Sequence, residues 1–301
     1  MSALLLLFAC LVLGMVVGRW AAPPAGTVPG INWWVINVAL PALVLDLIPR
    51  VTLDTHLWLP VVSMFIVFGG AWLLFGLVGL RLGWSRGRIG ALILVCGLGN
   101  TSFMGYPMLQ ALRGQAGLSL AVVADQLGTF PLLASAGVMV ASIYAGRSAS
   151  AGVIARRIFT FPAFLALMAG IIAGAFGGWP TPLHEVLAPI GATLTPLALF
   201  SVGMQFRFRL EGGQGGALAW GLGWKLLLAP LLCWLLARMA GVGGLVLTVS
   251  VLQAAMAPMI SAAILADEYE LDPPLANAVL GAGIVLSLLT VPLANVFLPA
   301  G

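Results

Sequence analysis

Gly97-Leu98-Gly99-Asn100-Thr101-Ser102-Phe103-Met104-Gly105-Tyr106-Pro107 lies inside a long apolar run, residues 88 to 112. A helix needs about 20 apolar residues to cross a hydrocarbon core of about 30 Å. Three glycines, an asparagine and a proline interrupt this run near its middle. Proline removes a backbone donor and clashes with the preceding turn. At membrane depth, opened backbone is tolerated only where it is buried in protein or lines a cavity. The stretch reads as a broken membrane helix, and the rest of the chain must supply what surrounds the break.

The composition agrees with a membrane setting. The 301 residues are 61% hydrophobic and 7% charged, with a mean hydropathy of +1.12. A water-soluble domain carries about 25% charged residues, so this chain cannot dress a soluble surface. Its apolar runs are continuous rather than alternating, which points to helices and away from a barrel. About ten spans are expected: residues 3 to 20, 28 to 48, 56 to 80, 88 to 112, 115 to 145, 158 to 177, 183 to 204, 216 to 238, 243 to 265 and 273 to 298. Only Met1 and Ser2 precede the first apolar run, so it lacks the basic region of a signal peptide and is read as a retained helix.

Cys10, Cys96 and Cys233 fall inside expected spans, which suggests neither a disulfide framework nor a metal site. No cofactor is expected. Arg19, Arg81, Arg86, Arg88, Arg147, Arg156, Arg157, Arg207 and Arg209 fall on one side of the spans, against Arg50, Arg113 and Arg238 on the other. The richer side should be cytoplasmic, which puts a multi-pass protein in the cell's inner (plasma) membrane with both termini outside. The pI of about 9.4 is then a topology signal, and a nucleic-acid partner has no soluble surface to bind.

The second half of the chain echoes the first. Gly14 and Gly18 match Gly170 and Gly174 at an offset of 156, and Pro41 matches Pro196 at 155. Pro107 matches Pro258 at 151, and Pro131 matches Pro292 at 161. Four matches in the same order argue for a five-plus-five duplication: residues 1–145, a cytoplasmic connector 146–157, and residues 158–301. An odd number of spans per repeat inverts the second copy, the plan of many secondary transporters. The ninth span breaks at Pro258 as the fourth breaks at Pro107. Half-helices starting near these prolines would aim positive N-terminal ends at the centre, which suits a carboxylate. Asn100, Thr101, Ser102 and Gln253 add neutral donors and acceptors at that level, and Gly105 supplies backbone freedom. The plainer reading is that Gly and Pro merely kink membrane helices.

The segment Asn100-Thr101-Ser102-Phe103-Met104-Gly105-Tyr106-Pro107 resembles the fourth-helix motif of the auxin efflux carrier family, which includes plant auxin exporters and bacterial carriers for dicarboxylates. Gln253-Ala254-Ala255-Met256 with Ala266-Asp267-Glu268-Tyr269 resembles its ninth helix and following loop, and Ser287 to Leu293 its tenth. The resemblance runs in order over essentially the whole chain. It implies an all-α fold shared with bile-acid symporters: two inverted five-helix repeats, with broken helices 4 and 9 crossing and substrate bound beside the crossing. It also implies a dimerising scaffold from spans 1, 2, 6 and 7, and a moving, elevator-type transport domain from spans 3 to 5 and 8 to 10. Gly14 to Gly18 and Gly170 to Gly174 would be close helix contacts in that scaffold. Two departures stand out. Ala257 separates the Gln253 element from Pro258, where plant carriers place proline directly, and the long plant loop is reduced to residues 146 to 155.

Ionisable groups at depth are the remaining candidates. Asp125 stands about ten residues into its span, about 15 Å deep at 1.5 Å per residue. A carboxylate there is costly unless protonated, paired or facing water. With Gln126 beside it, it reads as a proton carrier or an organiser of the substrate site, or else as a structural polar contact. Lys225 is similarly deep and could attract the anion or neutralise Asp125. Asn37 could face the substrate from the second span. Asp46 and Arg50 read as a surface pair, His56 and His184 as interfacial, and Asp267, Glu268, Glu270 and Asp272 as a solvated loop cluster.

The expected function is a carrier for a small organic anion, with proton coupling favoured over sodium. A sodium-coupled symporter of the bile-acid type is the alternative among transporters, but the ninth span offers Gln253 and no acid. From other classes, an intramembrane enzyme lacks a nucleophile or acid pair at depth, and a membrane sensor lacks an attached signalling domain.

Overall fold

The structure, a computed structural model, describes residues 2–51, 55–147, 150–206 and 213–299. Among them the chain is helical throughout, with one isolated backbone bridge, Gly99 to Pro258. In chain order the helices are α1 (Ser2–Trp20), α2 (Thr27–Arg50), α3 (Trp58–Arg81), α4 (Arg86–Gly97), α5 (Gly105–Tyr144), α6 (Ala151–Phe159), α7 (Pro162–Ala175), α8 (Thr181–Gln205), α9 (Gly215–Met239), α10 (Gly244–Ala254), α11 (Ile260–Glu268) and α12 (Pro273–Phe297). Six of them, α2, α3, α5, α8, α9 and α12, are long and apolar enough to cross a membrane, and α1, α7 and α10 are shorter apolar helices. The chain is thus an all-helical, multi-pass membrane protein.

Both expected breaks exist. α4 stops at Gly97 and helix resumes at Gly105, while α10 stops at Ala254 and helix resumes at Ile260. The fourth and fifth expected spans meet without a loop: α5 turns at Gly114, whose φ of 65° lies in the left-handed region open to glycine. The connector 146–157 runs into the helix α6, on which Arg156 is exposed. Arg207 and Arg209, used in counting charges, lie outside the described residues.

The chain groups into two compact units. The first comprises Met1–Asp54, Ser102–Gln126 and Phe159–Phe206. Its helices approach through glycine. A Cβ on Gly14 would stand 2.2 Å from the Phe200 carbonyl oxygen, and one on Gly203 2.2 Å from that of Leu11, so α1 and α8 touch backbone to backbone. Gly170 and Gly174 of α7 seat Ile48 and Pro49 of α2, and Gly191 of α8 seats Leu43. Lipid tails are as apolar as leucine, so helices in a bilayer associate through such close packing.

The second unit comprises Thr55–Thr101, Leu127–Ile158 and Arg207–Gly301. The half-helices α4 and α10 form its centre. Every residue from Ile89 to Gly97 and from Leu247 to Ala254 is buried, as suits helices apolar all round. One end of this unit is tied by polar contacts. Arg88 pairs with Asp272 at 2.9 Å, Asp272 caps α12 at the Leu275 amide, and the Arg86 guanidinium donates to the Ile143 carbonyl. Arg147 stacks on the Tyr269 ring. Asp267, Glu268 and Glu270 are exposed, but Asp272 is not part of a solvated cluster: it holds α4 to the start of α12.

Gly203→Leu should lower the unfolding midpoint in detergent by the equivalent of about 1–3 kcal/mol, the usual cost of overpacking. Gly76→Leu, whose Cβ meets nothing within 4 Å, should leave it unchanged. Equal midpoints for the two variants would contradict the backbone contact of α1 and α8.

Candidate functional site

In the second unit the two unwound segments pair with each other. The Asn100 amide donates to the Ala257 carbonyl at 2.8 Å, and the Met259 amide to the Leu98 carbonyl at 3.0 Å. These bonds supply partners that the broken helices cannot. Gln253, the penultimate residue of α10, donates from Nε2 to the Thr101 carbonyl at 3.3 Å and links the same two segments. Asn100, Thr101 and Gln253 are all buried. Asn100 Nδ2 is buried with no hydrogen-bond partner.

The prolines stand differently from the sequence pattern. Pro258 lies within its unwound segment, opposite Gly99. It packs against Gly283 of α12, where a Cβ would stand 2.2 Å from its Cδ. Pro107 is the third residue of α5, in the first turn, where its missing N–H costs no helical bond. The two are therefore not equivalent positions, and the offset of 151 is out of register. The helix ends themselves align better: Gly97 to Ala254 is 157 residues and Gly105 to Ile260 is 155. Ser102 accepts the Tyr106 amide through its carbonyl, and Gly105 opens α5.

Lys225 also belongs to the second unit and is 1% exposed. Its Nζ donates to the Ala254 carbonyl at 2.9 Å. Asp125 and Gln126 lie in the first unit with Tyr106, which sequence reading passed over. Asp125 Oδ2 accepts the Tyr106 hydroxyl and Gln126 Nε2, each at 2.8 Å. Tyr106 is fully buried, and Gln126 Oε1 has no partner. The signal was present: tyrosine is rare in this chain, and here it adjoins the break.

Four candidates share a backbone feature. Asn37 lies in a π-helical turn at Val35–Ala39, Asp125 and Gln126 in one at Asp125–Thr129, and Lys225 in one at Trp224–Leu228. Each turn ends two residues before a proline, at Pro41, Pro131 and Pro230. Proline leaves the carbonyl four residues earlier without its donor and crowds it, and widening the turn relieves both. Asn37 itself donates to the Trp33 carbonyl and is half-buried.

Two surface assignments are corrected. Asp46 is buried, and it holds both Arg50, at 3.3 Å, and the His184 ring. Histidine 184 is thus a partner of Asp46 that joins α8 to α2 within the first unit, rather than a separate interfacial group. His56 is exposed. No group of three or more metal-ligating side chains occurs among the described residues.

Paired helix breaks carrying buried amides within an apolar helical chain suit a membrane transport protein. The chain matches the family described as "Membrane transport protein" over residues 1–294 and belongs to it, the auxin efflux carrier family of the fourth-span resemblance. It is 30% identical to an uncharacterized transporter of Methanothermobacter thermautotrophicus over 89% of this chain and 88% of that one. It is 26% identical to another from Methanocaldococcus jannaschii over 62% of this chain and 60% of the other.

Tyr106→Phe removes a neutral donor to the buried Asp125 carboxylate. The unfolding midpoint should fall by the equivalent of about 1–3 kcal/mol, with helical content unchanged by circular dichroism. An unaltered midpoint would show that the hydroxyl is not needed to hold Asp125.

Proposed function

We propose that this protein is a secondary carrier for a small organic anion, working by elevator-type alternating access at the crossover of two broken helices. The observation that carries the reading is the Asn100 side-chain amide, a buried donor without a partner beside the backbone bonds that join the two breaks. An unpartnered buried donor costs about 1–3 kcal/mol. A carboxylate oxygen would satisfy it.

A helix end supports the same chemistry. Met259 before α11 does not cap its helix with a side chain, which leaves first-turn amides there for an anion, whereas in α5 the Tyr106 amide is taken by the Ser102 carbonyl and Pro107 has no N–H. The matching offsets of the two breaks support an inverted five-plus-five arrangement, with both termini outside. α1, α2, α7 and α8 all group in the first unit, as a scaffold would, and Ser102–Gln126 groups with them. In this reading the scaffold also forms the homodimer contact, and Asp125, held by neutral donors, is the group that takes up and releases a proton.

Asn100→Ala should weaken binding of a transported carboxylate at least tenfold, measured by ligand-induced stabilisation, while the ligand-free midpoint stays near wild type. Unchanged affinity would reduce Asn100 to a stabiliser of the break. For coupling, Asp125→Asn in proteoliposomes should abolish the response of uptake to an imposed pH gradient and leave substrate exchange measurable. Wild-type pH dependence in this variant would count against Asp125 as the proton carrier.

A further inference from the structure

The C-terminal ends of α4 and α10 come together in the core of the second unit, because the segments that follow Gly97 and Ala254 are hydrogen-bonded to each other. A helix C-terminus carries the equivalent of about half a negative charge and presents carbonyls with no intrahelical partner. Two such ends in one apolar core call for a positive charge. In membrane carriers with broken helices, unwound carbonyls and half-helix C-termini commonly hold a free cation.

Here a side chain reaches the same place. Lys225 Nζ donates to the carbonyl of Ala254, the last residue of α10. On its other side stands Gly99: a Cβ there would lie 2.9 Å from Nζ and 3.5 Å from the Gln253 carbonyl oxygen. The ammonium thus fits between the two broken segments, and only glycine at 99 leaves it room. The π-helical turn Trp224–Leu228 carries Lys225, and its Cys96 and Cys233 neighbours bring no competing carboxylate.

We propose that the Lys225 ammonium is the resident cation of the paired breaks, standing where a free alkali-metal ion would otherwise bind. Folding and organisation of the break then need no sodium or potassium, and truncating Lys225 opens a site for a small monovalent cation that can donate hydrogen bonds. Lys225 is a positioning residue in this role: it acts on substrate only through the geometry of the 98–101 and 255–259 segments.

The test is thermal unfolding of the purified protein at constant ionic strength. The wild type should unfold at the same temperature in sodium, potassium and N-methylglucamine chloride. A saturable, sodium-specific rise in the wild type would overturn the proposal, whatever the variants do. Lys225→Met keeps most of the volume without the charge and should unfold several degrees lower in all three salts. Lys225→Ala should also unfold lower and recover saturably with propylammonium, which replaces the four deleted side-chain atoms, while tetramethylammonium, without N–H groups, restores nothing. Wild-type stability in Lys225→Met, or equal effects of the two ammonium ions on Lys225→Ala, would refute a resident cation. No organic anion enters these measurements, so they stand or fall separately from the carrier reading.

Discussion

Two backbone hydrogen bonds, Asn100 to Ala257 and Met259 to Leu98, allow everything else in the second unit. Inside a bilayer an unsatisfied backbone group costs several kcal/mol, which is why spanning segments are normally unbroken helices. Two breaks can coexist at depth when each supplies the partners the other lacks. The pairing also explains the neighbours. α4 and α10 must be buried on every side to keep lipid from the opened backbone, and Gly283 must be small to admit the Pro258 ring.

Proline shapes the helices around this centre in a second way. At Pro41, Pro131 and Pro230 it widens the turn before it instead of ending the helix. A widened turn shifts the facing of the residues it contains, and those residues include Asn37, Asp125, Gln126 and Lys225. The same residue type that destroys a helix in water is accommodated here, because neighbouring helices and small local adjustments re-satisfy the freed groups.

Much of this was legible in the sequence. Gly, Asn and Pro clustered mid-span announced the first break and Pro258 the second, and Gly14, Gly170 and Gly174 announced close packing, because small residues have few other uses on an apolar helix. Other parts were hidden for physical reasons. The register of the second break did not follow its proline: Pro258 sits in the unwound segment and Pro107 in a first helical turn, and proline is compatible with both. The contact of Asp46 with His184 joins residues 138 apart in sequence, and the spacing of Asp46 and Arg50 on one helix suggested a surface pair instead. Tyr106 looked like part of a motif, whereas its hydroxyl serves a carboxylate 19 residues later.

Lys225 and Asp125, both deeply buried, are each hydrogen-bonded to neutral dipoles. Lys225 is held by a carbonyl at a helix end, and Asp125 by a phenol and an amide. A buried ion pair locks its members together, since removing one strands the other at a cost of several kcal/mol. Charges held by neutral partners escape that constraint. Neutral dipoles can also reorient: a hydroxyl such as that of Tyr106 can donate or accept, and so can stay hydrogen-bonded to the Asp125 carboxyl in either charge state. In the proposed carrier, a carboxyl that changes charge needs partners of this kind, while the break keeps its own, because Lys225 bonds to the Ala254 carbonyl.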